Sequence, residues 1–276
     1  MGIVNVTPDS FYDGGRFADP ARAVEHGLRL AEEGADILDV GGESSRPGSD
    51  PVPAAEERRR VVPVIAALRA RTAALISVDT TKLEVAEAAL DAGADIVNDI
   101  SAADLDPRML ILAADRNAGL ILMHMKGTPK TMQAAPRYDD AVAEIRAFLA
   151  GKLAAARAYG IAAESIVLDP GIGFGKRLED NLVLLNHLEA FASLDRPVLV
   201  GVSRKAFIGR LLDAASADDR LEGTIAASVV AAVRGAHILR VHDVQAASRA
   251  MRVADAILAA GPSAAGPAWE EDLRVR

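Results

Sequence analysis

Gly34-Ala35-Asp36-Ile37-Leu38-Asp39 recurs, nearly unchanged, as Gly93-Ala94-Asp95-Ile96-Val97-Asn98 and as Gly235-Ala236-His237-Ile238-Leu239-Arg240. In each copy a glycine closes a helix-patterned segment, an apolar β-branched run follows, and a polar residue ends it. Ile166-Val167-Leu168-Asp169 continues the pattern without the leading glycine. Apolar runs at 2–6, 35–40, 74–79, 94–99, 120–125, 165–169, 197–202 and 236–241 predict strands, so the four related copies are strands two, four, six and eight. Helix-patterned segments rich in Ala, Leu, Glu and Arg lie between them, as at 20–33, 83–91, 139–159 and 244–260. Eight strand–helix pairs in 276 residues predict an α/β protein, a single (β/α)8 TIM barrel over residues 1–260. Positions 261–276 turn to Gly, Pro, Ser and Ala before an acidic patch and the only Trp, and read as a loosely attached tail. Alternate strands of such a barrel feed one layer of side chains. Asp39, Asn98, Asp169 and Arg240 are therefore expected to face inward together near the C-terminal mouth.

Half the residues are hydrophobic, enough for a large core, and the formal charge is −8. That charge argues against generic binding to nucleic acid or to an anionic membrane. With no cysteine there is no disulfide, thiolate metal site or Cys nucleophile. No apolar run approaches the roughly 20 residues of a membrane span, and no signal peptide opens the chain. A cytoplasmic protein is the expectation.

The strand ends carry Asn5, Asp39, Asp79, Asn98, His124, Asp169, Ser203 and Arg240, with Lys205 and His242 just beyond. A deep Asp can accept paired hydrogen bonds from a flat heterocycle with adjacent ring N–H and amino donors. Arg46, Lys205, Arg240 and His242 suit an anion nearer the mouth. No Gly-x-Ser-x-Gly elbow or His-Glu-x-x-His helix occurs, so the chemistry reads as positioning and electrostatics. Asp169-Pro170-Gly171-Ile172-Gly173-Phe174-Gly175-Lys176 is a tight loop that starts at a strand-end acid and permits close backbone approach; it is not a P-loop. Turn formers crowd 5–17 and 41–53, two candidate lids. Each residue has a plainer alternative. A strand-end Asp caps helices as readily as it touches ligand, and Asp9 and Asp99 are assigned to that role. His124 is either a ligand contact or a satisfied core histidine. Met125 is either packing or a floor under a planar ring. The Arg58-Arg59-Arg60 run reads as a solvated helix face.

Taken in order, Asn5-Val6-Thr7-Pro8-Asp9-Ser10-Phe11, Gly41-Gly42-Glu43-Ser44-Ser45-Arg46-Pro47-Gly48, Ser77-Val78-Asp79-Thr80 and Asn98-Asp99-Ile100-Ser101 resemble the dihydropteroate synthase family. So do Leu122-Met123-His124-Met125, the 169–176 loop, Ser203-Arg204-Lys205 and Arg240-Val241-His242-Asp243. The resemblance implies a barrel that joins p-aminobenzoate to 6-hydroxymethyl-7,8-dihydropterin diphosphate, releasing 7,8-dihydropteroate and diphosphate in folate biosynthesis. It implies that Asp169, Asn98 and Asp79 hold the pterin and that Lys205 reaches its ring. Arg240 and His242, with Ser45 and Arg46, would hold the diphosphate, and Asn5 the accompanying Mg2+. Phe174, Lys205 and the backbone near Ala206 would border the aminobenzoate, with Phe11 and Pro47 supplied by the two loops. A homodimer is the family habit.

The sequence departs from the family at four places. Ser45 stands where Thr is usual and keeps the hydroxyl. Ala206 stands where Ser is common, which predicts weakened aminobenzoate binding. Asp180 replaces a usual His before Asn181. The chain also starts at the first barrel strand, without the short segment that usually closes the barrel bottom, which bears on stability more than on the site. Two rivals are a methyltetrahydrofolate-binding methyltransferase and a catalytically silent pterin-binding paralogue. Ser203-Arg204-Lys205 and Arg240-Val241-His242 speak against the first, and the complete set of ionic groups against the second.

Overall fold

The structure, a computed structural model, describes residues 1–7, 20–214 and 216–260. The first half runs β1 (Gly2–Asn5), α1 (Pro20–Glu32), β2 (Ile37–Gly41), α2 (Ala54–Arg69), β3 (Leu75–Asp79), α3 (Leu83–Asp91), β4 (Ile96–Asp99) and α4 (Arg108–Asp115). The second runs β5 (Gly119–Met123), α5 (Ala141–Ala158), β6 (Ile166–Asp169), α6 (Leu178–Asn186), β7 (Leu199–Val200), α7 (Ala206–Leu211), α8 (Leu221–Val233), β8 (Ile238–Leu239) and α9 (Val244–Ala259). All eight predicted strands are present, though shorter than their apolar runs, because a ladder stops where the chain bends into its loop. β7 and β8 keep two residues each, yet the Arg240 N–H still donates to the Val200 carbonyl at 3.0 Å beyond them.

The sheet closes on itself. β1 to β6 pair in chain order, all parallel, and β7 pairs with β8. The Leu168 N–H donates to Pro197 O at 3.0 Å and joins β6 to β7. The Ile3 N–H donates to Val241 O at 3.0 Å, the Val241 N–H to Met1 O at 2.9 Å, and these bonds join β8 to β1. The chain is a (β/α)8 barrel.

The repeat that supports this expectation works through helix termini. Gly34, Gly93 and Gly235 all take a left-handed backbone, φ between 101° and 104°. In each case the next residue's N–H reaches back five residues to a helix carbonyl: Ala35 to Leu30, Ala94 to Ala89, and Ala236 to Ala231. This reversal stops the helix and aims the chain into the following strand, and only glycine adopts it without penalty. α5 ends the same way at Gly160, φ 88°, with Ile161 bonding back to Ala156. A short 3-10 turn at Ala163–Ser165 then separates that glycine from β6, which is why the sixth strand lacks it in the repeat.

Period-two alternation sorts the strands into two packings. Val4, Leu38, Val78, Val97, Leu122 and Val200 belong to the large core beneath the helix ring. Ile37, Ile121 and Leu199, with Ile96, Val167 and Ile238 against them, form a smaller cluster that floors the barrel interior. Each such Ile or Leu contributes about 1.5–3 kcal/mol on burial. Two residues further along the same strands the interior turns polar: Asp39, Asn98, Asp169 and Arg240. The site therefore stands on an apolar floor.

Candidate active site

Asp39 is fully buried. Its Oδ2 accepts from Asn98 Nδ2 at 3.2 Å and from Arg240 Nε at 2.6 Å. Arg240 Nη2 donates to Asp79 Oδ2 at 2.7 Å. Three members of the expected layer thus bond directly, and Asp79 of β3 joins them. Asp169 faces the same interior: the charges of Lys205 and Arg240 act on it, and its Oδ1 accepts the Gly171 N–H at 2.7 Å. Asp39 Oδ1 and Ser77 Oγ, neighbours in the β2–β3 register, are buried without a hydrogen-bond partner. Leaving a buried carboxylate oxygen unbonded is costly, so donors from a ligand or solvent belong there.

One guanidinium serves two carboxylates here. Burial disfavours the Arg240 charge, but Asp39 and Asp79 more than reverse this and hold it protonated. Burial pushes Asp79 up to about 7; Arg240 opposes the shift, while Asp39, Glu57 and Asp99 add to it. Burial also raises Asp169, against Lys205. Burial, the largest cause in both, makes these two acids easier to protonate than free carboxylates.

The loop after β6 closes one side. Gly171, φ 70°, passes so near the His124 carbonyl that a Cβ would sit 1.9 Å from it. Asn181 Oδ1 accepts the Gly173 N–H at 2.6 Å, and Asn181 Nδ2 donates to Arg177 O at 2.8 Å. Lys205 Nζ donates to Ile172 O and lies 4.6 Å from the centre of the Phe174 ring. Burial lowers Lys205 to about 8, with Asp169 resisting. Lys176, to which the sequence assigned no role, is buried, and its Nζ lies 3.0 Å from His124 Nδ1. Flanking glycines and charges conceal such a residue in sequence; only the fold shows where its ammonium goes. His124 is consequently occupied by Lys176 and stacked edge-on against Phe148, the satisfied-histidine arrangement. Burial and the Lys176 charge take it down to about 3.

Asp180 has a local physical role. Its Oδ2 accepts the Arg177 N–H at 2.9 Å and Arg177 Nε at 3.0 Å, while Oδ1 accepts Arg177 Nη2 at 2.9 Å. It caps α6 from the N3 position and binds the guanidinium bidentately.

Across the mouth, Ser203 Oγ accepts the His242 N–H at 3.1 Å and lies 3.0 Å from His242 Nδ1. Arg204 adopts φ 58°, uncommon for a side-chain-bearing residue, and is held there by Asp243 at 2.6 and 3.0 Å and by Thr224 Oγ1 at 3.0 Å. That turn brings Lys205 into the mouth. Burial, Arg240 and Arg204 lower His242 to about 4, and the Arg46 charge also acts on it. Arg46, Pro47 and Ala206 are exposed; Ser45, Met125, Phe174 and Asn5 are half-buried. The loop carrying Ser45, Arg46 and Pro47 is tied down by the Gly48 N–H to Pro129 O at 3.0 Å. Lys82 secures its base, bridging Glu43 and buried Glu57. Arg60, expected in solvent, instead donates to Gly42 O at 2.8 Å, because the loop brings a carbonyl within reach of the helix. Asp99 spends both oxygens on Ser101 and Ala103, as a loop brace. Phe11 and Asp9 lie outside the described residues.

A parallel barrel with an acidic, amide-lined floor layer and a cationic rim is built to bind a flat nitrogen heterocycle that carries an anion. The model of the pterin binding enzymes matches residues 1–242. A dihydropteroate synthase of Synechocystis is 48% identical over 257 residues, covering 93% of this chain and 89% of that protein. Xanthomonas albilineans dihydropteroate synthase, solved with 4-aminobenzoic acid, superposes with a TM-score of 0.89 at 50% identity, covering 95% of this chain and 93% of that one. The same enzyme solved with 7,8-dihydropteroate gives 0.86 at 49%, covering 95% and 94%. The chain belongs to the dihydropteroate synthase family.

Proposed function

We propose that this chain condenses 6-hydroxymethyl-7,8-dihydropterin diphosphate with p-aminobenzoate, releasing 7,8-dihydropteroate and diphosphate. The observation that supports it best is the buried acid layer. Asp39 Oδ1 carries no hydrogen bond, Asp169 keeps Oδ2 beside its Gly171 bond, and both face the interior into which Lys205 and Arg240 also project. Pterin ring N–H and amino donors suit these acceptors, with Asn98 and Asp79 completing the set and Met125 beneath the ring. Arg46, Ser45 and a neutral His242 meet the diphosphate, near the guanidinium of Arg240.

Departure of diphosphate leaves positive charge on the exocyclic CH2, spread into the electron-rich dihydropterin. Asp79, Asp169 and Asp39 stabilise that cation from below, while Arg240, Lys205 and His242 stabilise the leaving anion. The arylamine, packed against Phe174 and Lys205 near Ala206, needs alignment but little activation. Phe11 and Pro47 would cover it and exclude water. Mg2+ would accompany the diphosphate. Among the described residues no three His, Cys, Asp or Glu side chains converge on one point. Asn5, half-buried at the end of β1, offers the one neutral oxygen that suffices for an ion keeping its waters and phosphate oxygens. The metal supplies charge neutralisation of the leaving group.

A homodimer belongs to the same proposal. Leu182 and Val183 on α6, Val230 and Val233 on α8, and Val253 and Ile257 on α9 are exposed on neighbouring helices.

The test is turnover of purified protein with pterin diphosphate, Mg2+ and labelled p-aminobenzoate. Labelled pteroate is expected, and its absence from folded protein overturns the proposal. Asp169→Asn is expected to lose pterin binding, and His242→Ala to weaken diphosphate binding by about tenfold. Equal effects of both on a pterin lacking diphosphate would contradict this division of the site.

A further inference from the structure

Lys176 is among the least exposed charged side chains of the described residues, at 3%. Its Nζ lies 3.0 Å from His124 Nδ1, 3.0 Å from Phe174 O and 3.3 Å from His124 O. An ammonium has three N–H groups, and here it meets three acceptors. Two of them belong to the end of β5 and the third to the loop after β6. Phe174, whose carbonyl it holds, presents its ring to Lys205 Nζ at 4.6 Å.

We propose that Lys176 is a positioning residue for the arylamine half of the site, pinning the Phe174 backbone to the end of β5 so that the ring stays against Lys205. The inference rests on the synthase reading and deepens it. Without this bond the carbonyl of the residue whose ring walls the second substrate loses its anchor. The pterin acids are held by other bonds: Asp169 by Gly171, and Asp39 by Asn98 and Arg240. A defect at Lys176 therefore falls more on the arylamine than on the pterin, where it removes one charge acting on Asp169 and no hydrogen bond. Burial lowers Lys176 to about 7, resisted by Asp169 and Asp180 and assisted by Lys205 and Lys126, so ligands or substitutions nearby will alter its charge. The neutral amine has two N–H groups for the three acceptors and holds the loop less firmly. Arginine is no substitute, since its planar fork cannot address three converging acceptors from one nitrogen.

Wild-type turnover is measured first; its absence overturns the synthase reading itself. With turnover established, Lys176→Met is expected to raise the KM for p-aminobenzoate about tenfold or more while leaving the KM for pterin diphosphate within about twofold. Phe174→Leu raises the same KM, and adding Lys176→Met to it costs less than a further factor of about two, because the lysine acts through the phenylalanine. Unchanged KM values in Lys176→Met, an equal rise for both substrates, or independent effects in the double variant overturn the role of Lys176 alone. If Lys176→Met does not fold by circular dichroism, Lys176→Gln, which is shorter and has two N–H groups for the three acceptors, is judged by the same criteria.

Discussion

Asp79 shares one guanidinium with Asp39, and that sharing sets how stability depends on pH. Burial first, then the neighbouring acids, raise its folded pKa to about 7, against an ordinary 3.8. The native state therefore holds this proton more tightly than the unfolded chain does. Its stabilising contribution is complete below pH 3.8 and is lost as pH rises through about 7. Asp79→Asn should remove a downward slope of at most about 1.4 kcal/mol per pH unit in that window, read by calorimetry of variant and wild type. Parallel profiles would show that Asp79 is ionised throughout. Half-buried His242 acts oppositely. Its folded pKa falls to about 4, so its contribution is full above 6.5 and lost on acidification, in variant and wild type alike.

The start of α6 is held by one acidic residue. Asp180 accepts the Arg177 N–H and, through Nε and Nη2, one edge of its guanidinium, so the cap and the loop leading to it are one unit. Arg177 is partly exposed, and the ion pair adds little by itself; the buried carboxylate cap is the larger part. Asp180→His should therefore destabilise the protein by about 1 kcal/mol instead of restoring anything, as measured by urea unfolding. An unchanged midpoint would mean that solvent replaces the cap at no cost. Upstream, the 169–176 loop is organised by glycine. At Gly171 the positive φ and the nearby His124 carbonyl leave room for no other residue.

At the scale of the molecule, an apolar floor, a polar layer and a cationic rim follow one another up the barrel axis, so depth sorts a substrate by polarity. Outside the barrel, α6, α8 and α9 leave apolar side chains uncovered, Ile257 being 68% and Val253 61% exposed. If these helices form a dimer interface, Val253→Glu with Ile257→Glu should yield folded monomer in sedimentation, because exposed positions cost the isolated barrel little. A dimer that survives both charges would place the interface elsewhere.

The apolar runs were enough to count the strands and order them, and the repeated Gly-Ala-Asp/His segments named the residues that end three of them. Helix reversal at glycine and period-two alternation are local properties, written within six consecutive residues. The same alternation turned Asp39, Asn98, Asp169 and Arg240 inward. What those groups bond to was not legible. The Arg240–Asp39 pair spans 201 residues and the Asn98–Asp39 pair 59, and closure of the barrel alone brings them together. Lys176 is the sharpest case. Its sequence neighbours are glycines, a phenylalanine and an arginine; the phenylalanine carbonyl is a local partner, but the two acceptors on His124 reach it only in the folded chain. A side chain's periodicity belongs to its own strand. Its burial, its partners and its charge state belong to whatever the rest of the chain packs around it.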